Sequence, residues 1–212
     1  MITLEKTSVY GWEPAIRGMR NPLNSWHLSD SKFDGEFDIG ENDYDLMVRL
    51  ILGGSSHAKF RRMINVTVDI TAPLYWWKEF DTYKIGTVAN SCSTMHKIHS
   101  RELTLDDFSH EHLQPVPLYA LQRVIECIND AREDFIATKD KEEWWQMIQL
   151  LPTSYNQKRT VQLNYEVLAG IYHDRKNHKL DEWRTFCTWI LKLPLAELIT
   201  IRREDYEKKE TH

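Results

Sequence analysis

The sequence predicts a helix-rich α+β fold with few strands. Three observations carry that expectation. Apolar residues recur at near-helical spacing over long segments, most clearly at Leu118, Leu121, Val124, Ile125, Ile128 and Phe135. One segment, Ile64-Asn65-Val66-Thr67-Val68-Asp69-Ile70-Thr71, alternates apolar and polar positions with β-branched side chains, as a strand with one buried face does. The composition, 42% hydrophobic and 28% charged over 212 residues, is that of an ordinary soluble chain long enough for one substantial core, here expected as a single domain over 1–212.

The elements follow in order. Residues 1–12 mix β-branched and charged side chains, which suits an edge strand. Residues 13–20 read as a short helix opening on Pro14 and stopped at Asn21-Pro22. Residues 26–40 are rich in Ser, Asp and Gly around Phe33 and Phe37, the pattern of an exposed loop or a small hairpin. Asn42-Asp43 is expected to cap a helix whose apolar face is Leu46, Val48, Leu50, Ile51 and Leu52, with Gly53-Gly54 as its stop.

After the strand at 64–71, Pro73 opens a helix running to Asp81. It is aromatic all round, which places it deep in the protein or in a subunit interface. Residues 82–97 are small, polar and hydroxyl-rich, and fit a loop folded around a ligand and a plain connector equally. Residues 118–138 and 141–150 form two helices, the second capped by Asp140, and Pro152 ends the pair. Residues 159–165 alternate as a strand, 166–172 are helical, and 181–192 form an aromatic helix closed by Pro194. The charged tail after Arg202 is expected to fray.

Formal net charge is -5, from 27 basic and 32 acidic residues, so no overall field draws the chain to nucleic acid or to an anionic membrane. Neither is an expected partner. No stretch approaches the roughly 18 apolar residues of a membrane span, and Met1-Ile2-Thr3-Leu4-Glu5-Lys6 lacks the basic-then-apolar pattern of a leader, so a cytoplasmic location is expected. Cys92, Cys127 and Cys187 are odd in number and far apart, which reads as reduced thiols.

Candidate chemistry is sparse. His96-Lys97-Ile98-His99 and His110-Glu111-His112 bring four histidines together, but their spacing is not specific and H-x-x-H lacks the acidic residue and the i, i+4 pairing of the helical zinc motif, so no metal is expected. Cys92, between Ser91 and Ser93, is a candidate nucleophile, although a buried, inert thiol is the favoured reading. Lys158-Arg159 and Arg175-Lys176, each read as closing a short element, are the basic pairs best suited to a phosphate. No G-x-G-x-x-G, G-x-x-x-x-G-K-S/T or G-x-S-x-G occurs.

Several segments carry a family likeness. Ala15, Arg17 and Arg20 reproduce an A-x-R-x-x-R helix start. The helix ending at Gly53-Gly54 and followed by His57-Ala58-Lys59-Phe60 is similar to a helix, glycine and P-F-E-H turn. The 64–71 strand runs into Ala72-Pro73 and an aromatic helix, and Leu151-Pro152, Lys158-Arg159, Asn164 and Arg175 follow near the end. This order resembles the flavin-dependent thymidylate synthases, which methylate dUMP using FAD, NADPH and methylenetetrahydrofolate. The resemblance covers 14–97 and 150–190. It implies the helix-rich fold of that family with a small antiparallel sheet, and a homotetramer with pockets between subunits.

The resemblance also distributes roles. Nucleotide contacts fall on Arg17, Glu79, Lys84, Lys158, Arg159 and Arg175, and flavin contacts on Arg62 and Asn164. Tyr83, Lys84, Asn90, Cys92 and Ser93 occupy the catalytic segment. That segment departs from the family signature R-H-R-x-x-S-x-N-E-x-S-x-R-Y: the R-H-R triplet falls on Thr82-Tyr83-Lys84, N-E on Ala89-Asn90, a serine on Cys92 and the closing R-Y on Thr94-Met95. A threonine cannot replace the bidentate fork of an arginine. The expected function is therefore binding of a pyrimidine nucleotide such as dUMP without dTMP synthesis by the family route. The alternative is an active FAD-dependent thymidylate synthase or a related pyrimidine-modifying enzyme.

Overall fold

The computed structural model describes residues 1–34 and 38–202. Its first strand, β1 (Thr3–Tyr10), turns through Gly11 into α1 (Trp12–Arg20). Gly11 has φ +94°, and a Cβ there would lie 2.2 Å from the Met63 carbonyl oxygen, so only glycine makes this turn without strain. Trp12, Ala15, Ile16 and Met19, spaced three and four apart, form the buried stripe of α1.

α2 (Glu41–Leu52) corrects the expected cap and the expected face. Asp43 is not a cap; it is fully buried, on one stripe with Met47 and Ile51. The first-turn amides of Asn42 and Asp43 instead donate to the Asp30 carboxylate at 2.9 and 3.1 Å, a long-range substitute for a local N-cap. Leu46, Val48, Leu50 and Leu52 are half-buried. Lys32 and Asp38 form an isolated antiparallel bridge, while Phe37 and the tail beyond Arg202 lie outside the described residues.

β2 (Asn65–Pro73) behaves as its alternation demands: Val66, Val68, Ile70 and Ala72 are buried, with half-buried neighbours between them. Each such Val or Ile contributes about 1.5–3 kcal/mol of burial, and a one-residue slip would turn the whole set outward. α3 (Leu74–Phe80) buries Trp76, Trp77 and Phe80, as a helix aromatic on every side must. Four strands among the described residues form an antiparallel sheet in the order β1-β2-β4-β3, with β1 at an edge as its sequence implied.

The 82–97 segment is not one loop. It contains β3 (Val88–Ser91), the other edge strand, and the single turn α4 (Thr94–Lys97). α5 (Pro115–Thr138) and α6 (Lys141–Leu150) follow, and Asp140 caps α6 as expected, accepting from the Glu142 amide at 2.9 Å. β4 (Asn156–Asn164) starts earlier than its sequence suggested, so Lys158-Arg159 lies inside a strand and closes nothing. α7 (Tyr165–Arg175), α8 (Asp181–Ile190) and a short α9 (Glu197–Thr200) complete the chain; α9 has no signal of its own in the sequence.

The chain divides into two compact units, and the division cuts across the strands. The first comprises Met1–Glu5, Asp69–Thr82 and Ala89–Thr160; the second comprises Lys6–Val68, Tyr83–Val88 and the chain from Val161 onward. In the first, the α5 stripe Leu121, Ile125, Ile128 and Ala131 packs with Ile98, Leu103, Phe108 and Met147. In the second, Trp12 meets Tyr165 edge to face at 5.3 Å, and Trp183, Phe186 and Ile190 bury one side of α8.

Candidate functional site

In the first unit, β3 ends where the Cys92 amide donates to the Lys158 carbonyl on β4 at 2.9 Å. The chain then turns at Ser93, whose hydroxyl caps α4 by accepting from the His96 amide at 3.2 Å. That turn opens a cavity of about 170 Å³ lined by Cys92, Ser93 and Lys158 together with Thr94, Lys97, Arg101, Tyr155 and Gln157. Three residues singled out in the sequence thus meet at one place. Cys92 is exposed, which overturns the expectation of a buried thiol: the turn into α4 carries it outward.

Charge in this region is largely matched. Lys158 Nζ stands 3.3 Å from Asp69 and 3.4 Å from Glu5, and its hydrogen bond to Asp69, then that to Glu5, holds its pKa above the ordinary lysine value. Arg101 grips Asp107 with both arms of its guanidinium. Burial pushes the Asp107 carboxyl up, but bonds from Arg101 and Thr104 outweigh it and leave it below the usual carboxylate range. Burial, followed by the Asp107 charge, raises the Tyr155 phenol, so it stays protonated and able to donate.

Arg159 points elsewhere than Lys158, because neighbouring residues of a strand face opposite ways. Its Nη1 donates to Asp81 at 2.8 Å, its Nε donates to Gln157 Oε1 at 3.0 Å, and its guanidinium lies 4.1 Å over the Trp77 ring. Asn90 is exposed on β3, and Glu79 is half-buried on α3 with its carbonyl accepting from Thr82.

The second unit holds the other predicted residues. Arg175, the last residue of α7, donates through Nε to the Tyr83 hydroxyl at 2.9 Å and lies 4.8 Å over Trp183. Lys84 is exposed next to Tyr83. Arg17 sits on α1 with Glu13 at 3.5 Å, largely in solvent, whereas Arg20, the other arginine of that helix, is buried and donates to Asp43 at 2.6 Å. Asp43 also accepts from the hydroxyls of Ser29 and Ser31, both at 2.7 Å. Burial pushes its carboxyl up; the bonds from Ser31, Ser29 and Arg20 win and hold it below its ordinary value.

The chain of residues carried over as flavin contacts does not form a cradle. Asn164 caps α7 by accepting from the Val167 amide at 3.1 Å and packs its amide group against Gly86, where a Cβ would come within 2.9 Å. Arg62 is exposed at the end of the 3₁₀ turn Ala58–Arg62, and its neighbour Arg61 pairs with Glu166 at 3.4 Å. Within the chain these residues do not fit a flavin. Nor do three His, Cys, Asp or Glu side chains among the described residues gather as metal ligands. Gln157, Tyr155 and Arg101 were missed in the sequence, which placed the start of this strand at 159 and so left 155 and 157 outside it.

No family model and no curated protein matches this chain. Solved structures do. Thymidylate synthase X (ThyX) of Helicobacter pylori with FAD and dUMP aligns at TM-score 0.67 and 14% identity, over 95% of this chain and 100% of that one. The fold is that of the flavin-dependent thymidylate synthases. A second structure of the Helicobacter pylori flavin-dependent thymidylate synthase, complexed with FAD and dUMP, aligns at 0.65 and 15% identity, over 94% of this chain and 97% of that one. The UMP/dUMP methylase PolB of Streptomyces cacaoi, bound with 5-Br dUMP, aligns at 0.61 and 13% identity, over 94% and 95%. The flavin-dependent thymidylate synthase fold therefore spans nearly the whole chain.

Proposed function

We propose that this protein binds a pyrimidine nucleotide on a flavin-dependent thymidylate synthase fold, as a homotetramer, without making dTMP by the route of that family. One observation carries the reading: Cys92, Ser93 and Lys158, selected from sequence alone, line a single cavity on a fold whose solved examples hold dUMP or 5-Br dUMP. Tyr155 offers a protonated phenol there, and Lys97 and the partly exposed Lys158 offer positive charge. The family resemblance adds Arg17, Glu79, Lys84 and Arg175 as candidate nucleotide contacts. The loss of dTMP synthesis follows from Thr82-Tyr83-Lys84, since removing one preorganised electrostatic contact typically costs about 2.7–4 kcal/mol in the transition state.

Thermal unfolding of the purified protein with dUMP, UMP, dTMP or FAD tests this. A nucleotide at a hundred times its dissociation constant stabilises the fold by about 2.7 kcal/mol. No shift with any nucleotide rejects the proposal. A second reading, an active FAD-dependent pyrimidine-modifying enzyme, draws on the FAD of the Helicobacter pylori structures. A yellow preparation that oxidises NADPH only when dUMP is present establishes that reading and removes the first.

A further inference from the structure

We propose that Arg159 and Gln157 form a positioning relay that sets the Cys92–Thr94 turn at the cavity, so that Arg159 acts on a bound nucleotide through Gln157 and not by touching it. The inference rests on the nucleotide reading of that cavity for its function, but its geometry is independent of it. Every member lies in the first unit.

The relay starts at a guanidinium with little freedom. Asp81 accepts from Arg159 Nη1 at 2.8 Å, the indole of Trp77 lies 4.1 Å beneath it, and only 15% of the Arg159 side chain is exposed. Trp77 is itself buried, with its Nε1 donating to the Gln157 carbonyl at 2.9 Å, so the platform is tied to the same strand. An ion pair with the half-exposed Asp81 alone would be weak. A guanidinium stacked on a buried ring and bonded along its edge is better fixed.

Arginine can only donate, so the Gln157 oxygen must face Arg159 Nε, where it accepts at 3.0 Å. That choice settles the orientation of the amide, which geometry by itself leaves ambiguous. Gln157 Nε2 is thereby turned to the opposite side, where it donates to the Cys92 carbonyl at 3.0 Å and to Thr94 Oγ1 at 3.2 Å. Gln157, Cys92 and Thr94 all line the cavity. Asp81, Arg159 and Gln157 thus transmit one orientation to the turn that shapes the site. Arg159, read from the sequence as a phosphate contact, has its Nε and Nη1 already engaged.

Carbamidomethylation of Cys92 by iodoacetamide, followed in the full chain by peptide mass spectrometry with exposed Cys127 as internal reference, reads the turn directly. Gln157→Glu is isosteric and still accepts from Arg159, yet places an acceptor against the Cys92 carbonyl. It should change the Cys92 rate about threefold or more, the effect of losing hydrogen bonds of ordinary strength. Arg159→Met should change it by a similar factor, Arg159→Lys by less, and the Gln157→Glu/Arg159→Met pair by no more than Gln157→Glu alone. Unchanged rates, or single effects that multiply in the pair, overturn the relay. The same variants should weaken dUMP by one common factor. If Arg159→Met weakens dUMP while Gln157→Glu does not, Arg159 touches the nucleotide and the relay is wrong. Should the unmodified protein bind no dUMP, the nucleotide reading falls, and the Cys92 rates alone decide the relay.

Discussion

Arg20 in the second unit and Lys158 in the first are both cations held by carboxylates, yet burial gives them different work. Arg20 is 4% exposed and its partner Asp43 is wholly buried, with Ser29 and Ser31 completing the carboxylate shell. Lys158 is 39% exposed and shares Asp69 and Glu5 across longer contacts. A buried pair cannot exchange its partner for water or ligand without a large desolvation cost, so it fixes structure. An exposed pair can open at little cost and release its cation. Two positions that look alike in a family motif or a basic pair therefore divide into a lock and an adjustable contact.

The comparison breaks most sharply at Asp43. Asp43→Ala leaves the Arg20 guanidinium buried without its carboxylate and should cost about 3–5 kcal/mol in urea unfolding; a loss below 1 kcal/mol would mean that the pair holds nothing. Next comes Gly86→Ala, where φ is +76° and the new Cβ presses on the Asn164 amide. It should lose about 1–3 kcal/mol through strain beside Tyr83 and Lys84. Lys158→Met should weaken dUMP binding about tenfold, as loss of a charge-assisted contact does, with a loss of at most about 1 kcal/mol in unfolding from its pairs with Asp69 and Glu5. Equal binding by the variant would exclude Lys158 as a nucleotide contact.

The smallest effect expected is the pH response. The folded Asp43 and Asp107 carboxyls both lie below their ordinary values. Their stabilisation is complete above the unfolded carboxylate pKa of about 3.9 and is lost as pH falls through the lower folded values. Thermal midpoints should be flat from neutral pH down to about pH 5 and decline below pH 4. Asp43→Asn should decline less steeply over that interval; a parallel decline would assign the acid sensitivity to other carboxylates.

Much of this architecture was legible in the chain itself. The β2 alternation, the α1 and α5 stripes, the Asp140 cap and the all-round aromatic α3 depend on spacing of 2 or about 3.6, which local sequence records. The order of those segments was enough to indicate the flavin-dependent thymidylate synthase fold. β3 was not legible: four exposed residues, Val88–Ser91, are a strand only because β4 lies beside them. The Asn42-Asp43 cap failed for a similar reason, since Asp30 supplies the acceptor from outside the helix.

At the site, the sequence alone selected residue types: a thiol flanked by serines, a basic pair and a terminal arginine. Only the tertiary structure decided their partners. Asp43 for Arg20, Asp81 for Arg159 and Glu5 for Lys158 lie 23, 78 and 153 residues away. Local periodicity carries no information about such pairings, because they depend on strand register and on which charges folding brings within a few ångströms. The same long-range register turned Cys92 outward and tied its turn to Gln157.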